Sequence, residues 1–422
     1  MGQSSFVNQK RQPVSQARPK LPKRPADLLK GIDWILVGVV TGLTLFGLLM
    51  VYSAGPKFAM AINQEPAFFL QRQVMWAIVG LGAVIFLSLF DYHYYQRLTV
   101  VMLFVTIIAL LAVAILGDTT LGANRSLFSG SIRPSELAKI VAILYISVWL
   151  NSKREVLNDI TLGLVPLMLI LGITGGLILI QPDLSAAITV IALGGILFFL
   201  AGGEWRQIGL TLAVTVLIGW IVVNVYPTGI KRITEYLAGL HNPLNASYHV
   251  QRSLEAIIKG KFLGVGIGLS STKFTGLPVA PTDSIFAVIA EETGLLGAGV
   301  VILAYIFLLW RGLLIARRAP DMLGGLLASG ITIWIVFEAL LNMAVMVNLL
   351  PQAGNALPFI SYGGSNLLVT LAGVGILLNI ARISKASNSS QGGMGFGSVV
   401  DLRWRDRRRR VSRYGHSSGS EQ

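Results

Sequence analysis

Asp283 stands where a long polar stretch meets a long apolar one, in the run Leu277-Pro278-Val279-Ala280-Pro281-Thr282-Asp283-Ser284-Ile285-Phe286-Ala287-Val288-Ile289-Ala290-Glu291-Glu292. If the chain is helical from Ser284 onward, a rise of about 1.5 Å per residue sets Glu291 and Glu292 roughly 12–13 Å beneath Asp283. Carboxylates at membrane depth are costly and face a cavity or a partner. The helix is therefore expected to line a polar interior, with Asp283 at its mouth.

Other polar residues interrupt apolar sequence. Arg125 and Arg133 flank Phe128-Ser129-Gly130, and Pro134-Ser135-Glu136-Leu137-Ala138-Lys139 follows. Pro134 and Ser135 suit a helix start. Glu136 and Lys139, three residues apart, share a helix face and can pair, either as a structural link or as part of a site. Arg125 is the better candidate for contact with an anion. Gln181-Pro182-Asp183 breaks two apolar runs and reads most simply as a tight turn. Glu338 and Asn342, one helical turn apart, are either a link between helices or cavity groups. In Leu357-Pro358-Phe359-Ile360-Ser361-Tyr362-Gly363-Gly364-Ser365, Pro358 stops a helix and Gly363-Gly364 permits unusual backbone angles. This run is either a plain connection or a re-entrant loop lining a cavity. Leu263-Gly264-Val265-Gly266-Ile267-Gly268 is not a dinucleotide loop, because no strand and βαβ unit surround it. A closely packed backbone beside the site, presenting N–H groups to phosphate, suits it better. The four histidines are scattered, with no metal-ligand spacing.

Composition decides what must position these residues. The chain has 422 residues, of which 54% are hydrophobic and 13% charged. A soluble domain carries about 25% charged residues, so the fold class is all-α, a polytopic membrane protein. No cysteine is present to brace an external loop. Ten apolar runs predict about ten transmembrane helices, near Trp34–Ser53, Val74–Phe90, Leu98–Leu116, Glu136–Leu150, Ile160–Ile180, Leu184–Gly202, Ile208–Tyr226, Ile285–Trp310, Met322–Leu349 and Ser365–Ile383. An even number puts both termini on one side. Short loops on that side hold Arg97, Lys153, Arg154, Arg206, Arg317 and Arg318, which makes it cytoplasmic by the positive-inside rule. Asp283, Arg125, Asp183 and Tyr362 then lie outside. Residues 1–30, with seven Lys/Arg and four Pro, and the basic stretch 384–422 read as disordered cytoplasmic tails, flanking a membrane domain over 31–383. The net charge of +14 lies largely in these tails, so it is no signal for nucleic acid. One long external loop, 227–284, carries six Lys/Arg against three acids. Such a loop is either an ordinary solvated one or a partner for an anionic head group at the membrane surface.

Taken together and in this order, the motifs resemble the SEDS family, the FtsW, RodA and SpoVE proteins of bacterial cell-wall synthesis, over about residues 32–383. The resemblance rests on Thr282-Asp283 with Ile285–Glu292, the Leu357–Ser365 run, Gln181-Pro182-Asp183, Tyr248, Gln251, Ser253, Leu254, Gly264–Gly268, Lys273 and Leu277-Pro278. The spacing before Lys273 looks nearer the FtsW branch. The resemblance implies a glycosyltransferase of the bacterial cytoplasmic membrane that polymerises lipid II outside it, in cell division or shape control. A class B penicillin-binding protein and division or elongation proteins are its implied partners. It places the essential acid at Asp283, substrate contacts at Arg125, Lys273, Gln251, Ser253, Ser361 and Tyr362, and supporting roles at Glu136, Lys139, Asp183, Glu291 and Glu292. With Asp283 as general base, the pyrophosphate leaving group needs a positive partner, which Arg125, Lys273 or a divalent cation (Mg2+ or Mn2+) could supply. A flippase for the same lipid-linked sugar is the alternative. Against it, no inverted repeat is evident, and polar chemistry is densest at the outer face rather than the midplane. The chain departs from the family pattern at Arg125-Ser126 (usually Arg-Trp), Arg133-Pro134 (Gln-Pro), Val279 (Glu) and Ser247-Tyr248-His249 (Gly-Tyr-Gln).

Overall fold

The computed structural model describes residues 31–116, 118–120, 123–126, 133–157, 159–181, 183–225 and 227–392. Residues 20–384 form one compact unit, and beyond it only the end of the last helix is described. A helix lies at each of the ten apolar runs. These are α1 (Trp34–Ala61), α2 (Phe68–Leu89), α3 (Tyr95–Leu116), α4 (Pro134–Ser152), α5 (Val165–Ile180), α6 (Leu184–Leu200), α7 (Trp205–Val225), α10 (Ile285–Arg317), α11 (Met322–Met346) and α12 (Gly364–Gly392). Among the described residues, seven segments are long and apolar enough to cross a membrane, those of α1, α2, α3, α5, α10, α11 and α12. The chain is a multi-pass membrane protein. A total of ten crossings would need α4, α6 and α7 as well, and α6 is apolar but has only 17 residues.

Apolar composition on all sides removes the usual amphipathic signal, so helix ends are set by caps. The carboxylates of Asp33, Asp183 and Asp321 accept from the N–H groups of Leu36 (3.1 Å), Ala186 (3.2 Å) and Gly324 (2.7 Å), opening α1, α6 and α11. α11 and α12 are the most enclosed spans. α2 and α3 instead leave Ile78, Phe86, Val100 and Phe104 mostly exposed, as helices do when their outer sides meet lipid. Polar contacts gather at two opposite ends. One end holds the Arg311–Asp33 pair (2.8 Å) and His93 against Asp321 (2.7 Å). The other joins Arg133 N–H to Ser365 Oγ and Tyr362 N–H to Pro281 O.

The stretch expected as a long loop, 227–284, is largely helical. It contains α8 (Pro227–His241), α9 (Tyr248–Gly260) and a single turn at Thr272–Thr275. Its apolar residues follow the helical period. On α9, His249, Val250, Ser253, Ala256 and Gly260 are buried on one face. A two-stranded antiparallel hairpin, β1 (Asp118–Thr120) with β2 (Ala123–Ser126), follows α3. At the C-terminus α12 runs to Gly392, past the expected end at Ile383, so residues 384–392 are helical rather than a disordered tail. The rest of both expected tails lies outside the described residues.

α10 is broken at Gly294, whose φ of 69° and ψ of −171° no helix accommodates. The break strands backbone groups on both sides, and the glycine-rich run takes them up. Val265 and Gly266 donate to the carbonyls of Glu291 and Glu292 at 3.0 Å, while Leu295 and Leu296 donate back to Lys261 and Phe262. Gly264 sits at φ +80°, where a Cβ would come within 2.2 Å of Glu292 O. The N–H groups of Val265 and Gly266 are thus spent on α10, not held out to a phosphate.

Candidate active site

A cavity of about 510 Å³ opens at the end of the bundle that holds Tyr362 and Arg133. Asp283 lines it, half-buried, on the turn just before α10. Arg72, Arg133, Glu136, Tyr362 and Asn366 line it as well, brought in by α2, the start of α4, the loop before α12 and the first turn of α12.

The turn that carries Asp283 is pinned on every side. Ser361 Oγ donates to Thr282 O (2.6 Å), Tyr362 N–H to Pro281 O (2.8 Å) and Asn342 Nδ2 to Asp283 O (2.8 Å). Ser284 Oγ donates to Pro278 O (2.6 Å), and Val279 holds φ at +48°, where few non-glycine residues sit. Fixing the backbone this way holds the Asp283 carboxylate in place without a large reorganisation cost.

The Leu357–Ser365 run enters the bundle. Leu357, Phe359 and Ile360 are buried, and a Cβ on Gly47 of α1 would lie 2.5 Å from Phe359 O. Tyr305 donates to Pro358 O, and the Gln73 amide grips the loop twice, donating to Ser361 O (3.1 Å) and accepting from Gly363 N–H (3.2 Å). Tyr362 packs edge-on against Phe69 and hydrogen-bonds Arg72. Burial raises its phenol, against the pull of that guanidinium.

Beneath the cavity lies a buried ion cluster. Lys139 pairs with Glu136 (2.8 Å) and with Glu338, while Asn366 Nδ2 donates to Glu136 (2.8 Å). The i, i+3 pair expected on α4 is present, with a third member from α11.

Glu291 and Glu292 do not line this cavity, contrary to the expected polar interior along α10. The 261–275 segment folds over the break and encloses them. Glu292 pairs with Lys273 (2.7 Å) and accepts from Ser53 Oγ (2.6 Å). Glu291 accepts from the N–H groups of Ser271 (3.0 Å) and Thr272 (3.2 Å). Lys273 is therefore committed to Glu292, away from the cavity. Gln251 holds the turn before α9 through Leu244 O and Ala246 O, and Ser253 bonds His249 O within that helix. Asp183 caps α6. Arg125 lies on β2, and its side chain is outside the described residues. The cavity thus brings together Asp283, Tyr362 and Glu136 from the expected set, with Ser361 just behind Asp283. Sequence reasoning missed Arg72, Asn366, Gln73 and His249. Arg72 carried a legible signal, a charge between the apolar Phe68-Phe69-Leu70 and the apolar run that begins at Val74. His249 is recognisable only once α9 is folded against Ser284. Among the described residues, no three histidines or acids converge as a metal cluster.

A family model described as cell cycle protein, covering FtsW, RodA and SpoVE, matches residues 33–386. A probable peptidoglycan glycosyltransferase FtsW of Trichlorobacter lovleyi is 38% identical over 83% of this chain and 93% of its own. The stage V sporulation protein E of Bacillus subtilis is 34% identical over 84% and 98%. Among solved structures, one described as showing "structural coordination of polymerization and crosslinking by a peptidoglycan synthase complex" aligns with a TM-score of 0.70 and 27% identity, over 84% of this chain and 98% of that one. The rod shape determining protein RodA of Thermus thermophilus aligns at 0.62 and 25%, over 83% and 97%.

Proposed function

Because the chain belongs to the FtsW, RodA and SpoVE family, we propose that it is a peptidoglycan glycosyltransferase that polymerises lipid II at the outer face of the cytoplasmic membrane, in cell division or shape control, with Asp283 as general base. The observation that carries this reading is the cavity itself, where Asp283 sits on a pinned turn beside two guanidiniums, Arg72 and Arg133. The acceptor sugar hydroxyl attacks the anomeric carbon of the donor. The bond from that carbon to the lipid pyrophosphate breaks, and Asp283 takes the hydroxyl proton. The pyrophosphate leaves with its electron pair and needs positive charge rather than a proton. Arg72 and Arg133 supply that charge at the cavity, and Arg125 stays a candidate from β2. One base suffices, unlike the carboxylate pair of a glycosidase.

A Mg2+ or Mn2+ ion would fit as such ions bind in phosphate sites, through one or two carboxylates with the substrate phosphates completing its shell. Asp283 and Glu136 are the carboxylates that line the cavity. When bound, the ion would add Lewis-acid stabilisation of the leaving group. The partner proposed is a class B penicillin-binding protein, in keeping with the coupling of polymerisation to crosslinking described for the structural relative.

The test is polymerisation of purified lipid II by the purified protein, with and without a candidate transpeptidase. Asp283→Asn is expected to lower the rate by about 10²–10⁴ while the protein still folds and binds its partner. An Asp283→Asn protein that polymerises at the wild-type rate sinks the assignment.

A further inference from the structure

His249 stands on the buried face of α9, and its ring bridges two segments that frame the Asp283 turn. Nε2 contacts Ser284 Oγ, and Nδ1 lies 3.0 Å from the amide nitrogen of Gln352. The proton inventory at these contacts has one consistent solution. Ser284 has a single hydroxyl hydrogen, and that hydrogen goes to Pro278 O at 2.6 Å. Ser284 Oγ must then accept from His249, so Nε2 carries a hydrogen. Nδ1 is left with its lone pair and accepts from Gln352 N–H. Reversing the Gln352 amide would require a hydrogen on Nδ1 too, which makes an imidazolium in a site where only 7% of the residue is exposed. Burial works against that charge and pushes the ring down to about 4.

We propose that His249, as the neutral Nε2–H imidazole, is a positioning residue that fixes Ser284 and thereby the turn presenting Asp283. Ser284 is fully buried between His249 and Pro278, one residue from Asp283 and at the start of α10. Asn342 and Ser361 hold the other side of the same turn through Asp283 O and Thr282 O. Without the imidazole, Ser284 Oγ loses its donor, and α9 loses its polar link to both the turn and the 351–356 segment. Glutamine at this position can reproduce both contacts, because its amide donates through nitrogen and accepts through oxygen. Phenylalanine fills the ring volume and can do neither.

The catalytic half of the proposal rests on Asp283 being the base. The structural half does not, and the experiment reads the two separately. Nitrogen-15 NMR of histidine-labelled full-length protein at pH 7 should show one neutral Nε2–H ring that vanishes in His249→Phe. An Nδ1–H tautomer or an imidazolium at His249 overturns the proposal. Hydrogen exchange over residues 278–286 should speed up in His249→Phe and return toward wild type in His249→Gln, in protein whose elution and thermal unfolding show it folded. Unchanged exchange in His249→Phe also overturns it. In lipid II polymerisation, His249→Phe should lower kcat by about tenfold at unchanged KM, and His249→Gln should recover most of that loss. Should wild type fail to polymerise, the functional assignment falls, while NMR and exchange still decide the role of His249. A wild-type kcat for His249→Phe removes it from the positioning of Asp283.

Discussion

Arg72 comes from a helix whose outer side faces lipid, and the hydrocarbon cost of its charge is met at the cavity by Tyr362 and by the ring of Phe68 at 5.2 Å. A guanidinium can hold two oxygens of a pyrophosphate at once, whereas an ammonium acts as a point charge. Arg72→Lys is therefore expected to lower polymerisation by roughly a hundredfold with the fold intact, read by glycan product per enzyme over time. A wild-type rate would shift the pyrophosphate contact to Arg133 or Arg125. His249 makes a prediction of a different kind. Its ring titrates at about 4 in the folded chain against an ordinary 6.5, so the unfolded chain takes the proton first as pH falls. The stability that goes with this is complete above about pH 6.5 and is lost as pH drops toward about 4, by up to about 1.4 kcal/mol per pH unit. Thermal unfolding in detergent across that range should show a steeper acid decline for wild type than for His249→Gln. Parallel curves would mean that the ring is not held neutral.

At the scale of elements, the break in α10 organises the packing of the 261–275 segment against the bundle. Gly294 frees backbone groups, the 261–266 segment pairs with them, and the chain after it wraps Glu291 and Glu292. The Lys273–Glu292 pair is enclosed on both sides, with side chains 3% and 0% exposed. Such a pair gives little net stability while intact, but removing one partner leaves a buried charge alone. Lys273→Met is expected to destabilise by about 3–5 kcal/mol, and adding Glu292→Leu should return part of that. Unfolding midpoints of the single and double variants check this, and a single variant as stable as wild type would show the pair open to water. The acids and the lysine were each legible in the sequence, and so was the glycine spacing. What could not be read was that they answer one another, because the pairing depends on a helix break that one glycine makes inside what reads as one continuous helix. Composition misled for 227–284, where polar residues suggested a loop although Ile230, Ile233, Leu237 and Leu240 on α8 already follow a helical stripe.

Across the whole molecule, the apolar runs marked a helix at each of ten places, seven of them long and apolar enough to cross a membrane among the described residues, and they put Asp283 and Tyr362 at one end, where the cavity lies. They could not fix lateral neighbours, which is why Arg72 on α2 and Glu338 on α11 entered the site only in three dimensions. The two ends of the bundle differ in the groups they expose, and the short loops with Lys153, Arg154, Arg206, Arg317 and Arg318 share the end opposite the cavity by helix direction. By the positive-inside rule this charge would put the cavity outside, as the proposed polymerisation at the outer face requires. Because the chain has no cysteine, single-cysteine variants carry no background for labelling. Lys231, on α8, is 75% exposed and its pairing with Glu235 at 3.8 Å is of the weak surface kind, so replacing it leaves the fold undisturbed. Lys153, at the end of α4, is also exposed. In intact cells, Lys231→Cys is expected to react with a membrane-impermeant maleimide, and Lys153→Cys only after the membrane is permeabilised. The opposite pattern would turn the molecule over, put Asp283 on the cytoplasmic side, and remove the basis for polymerisation at the outer face.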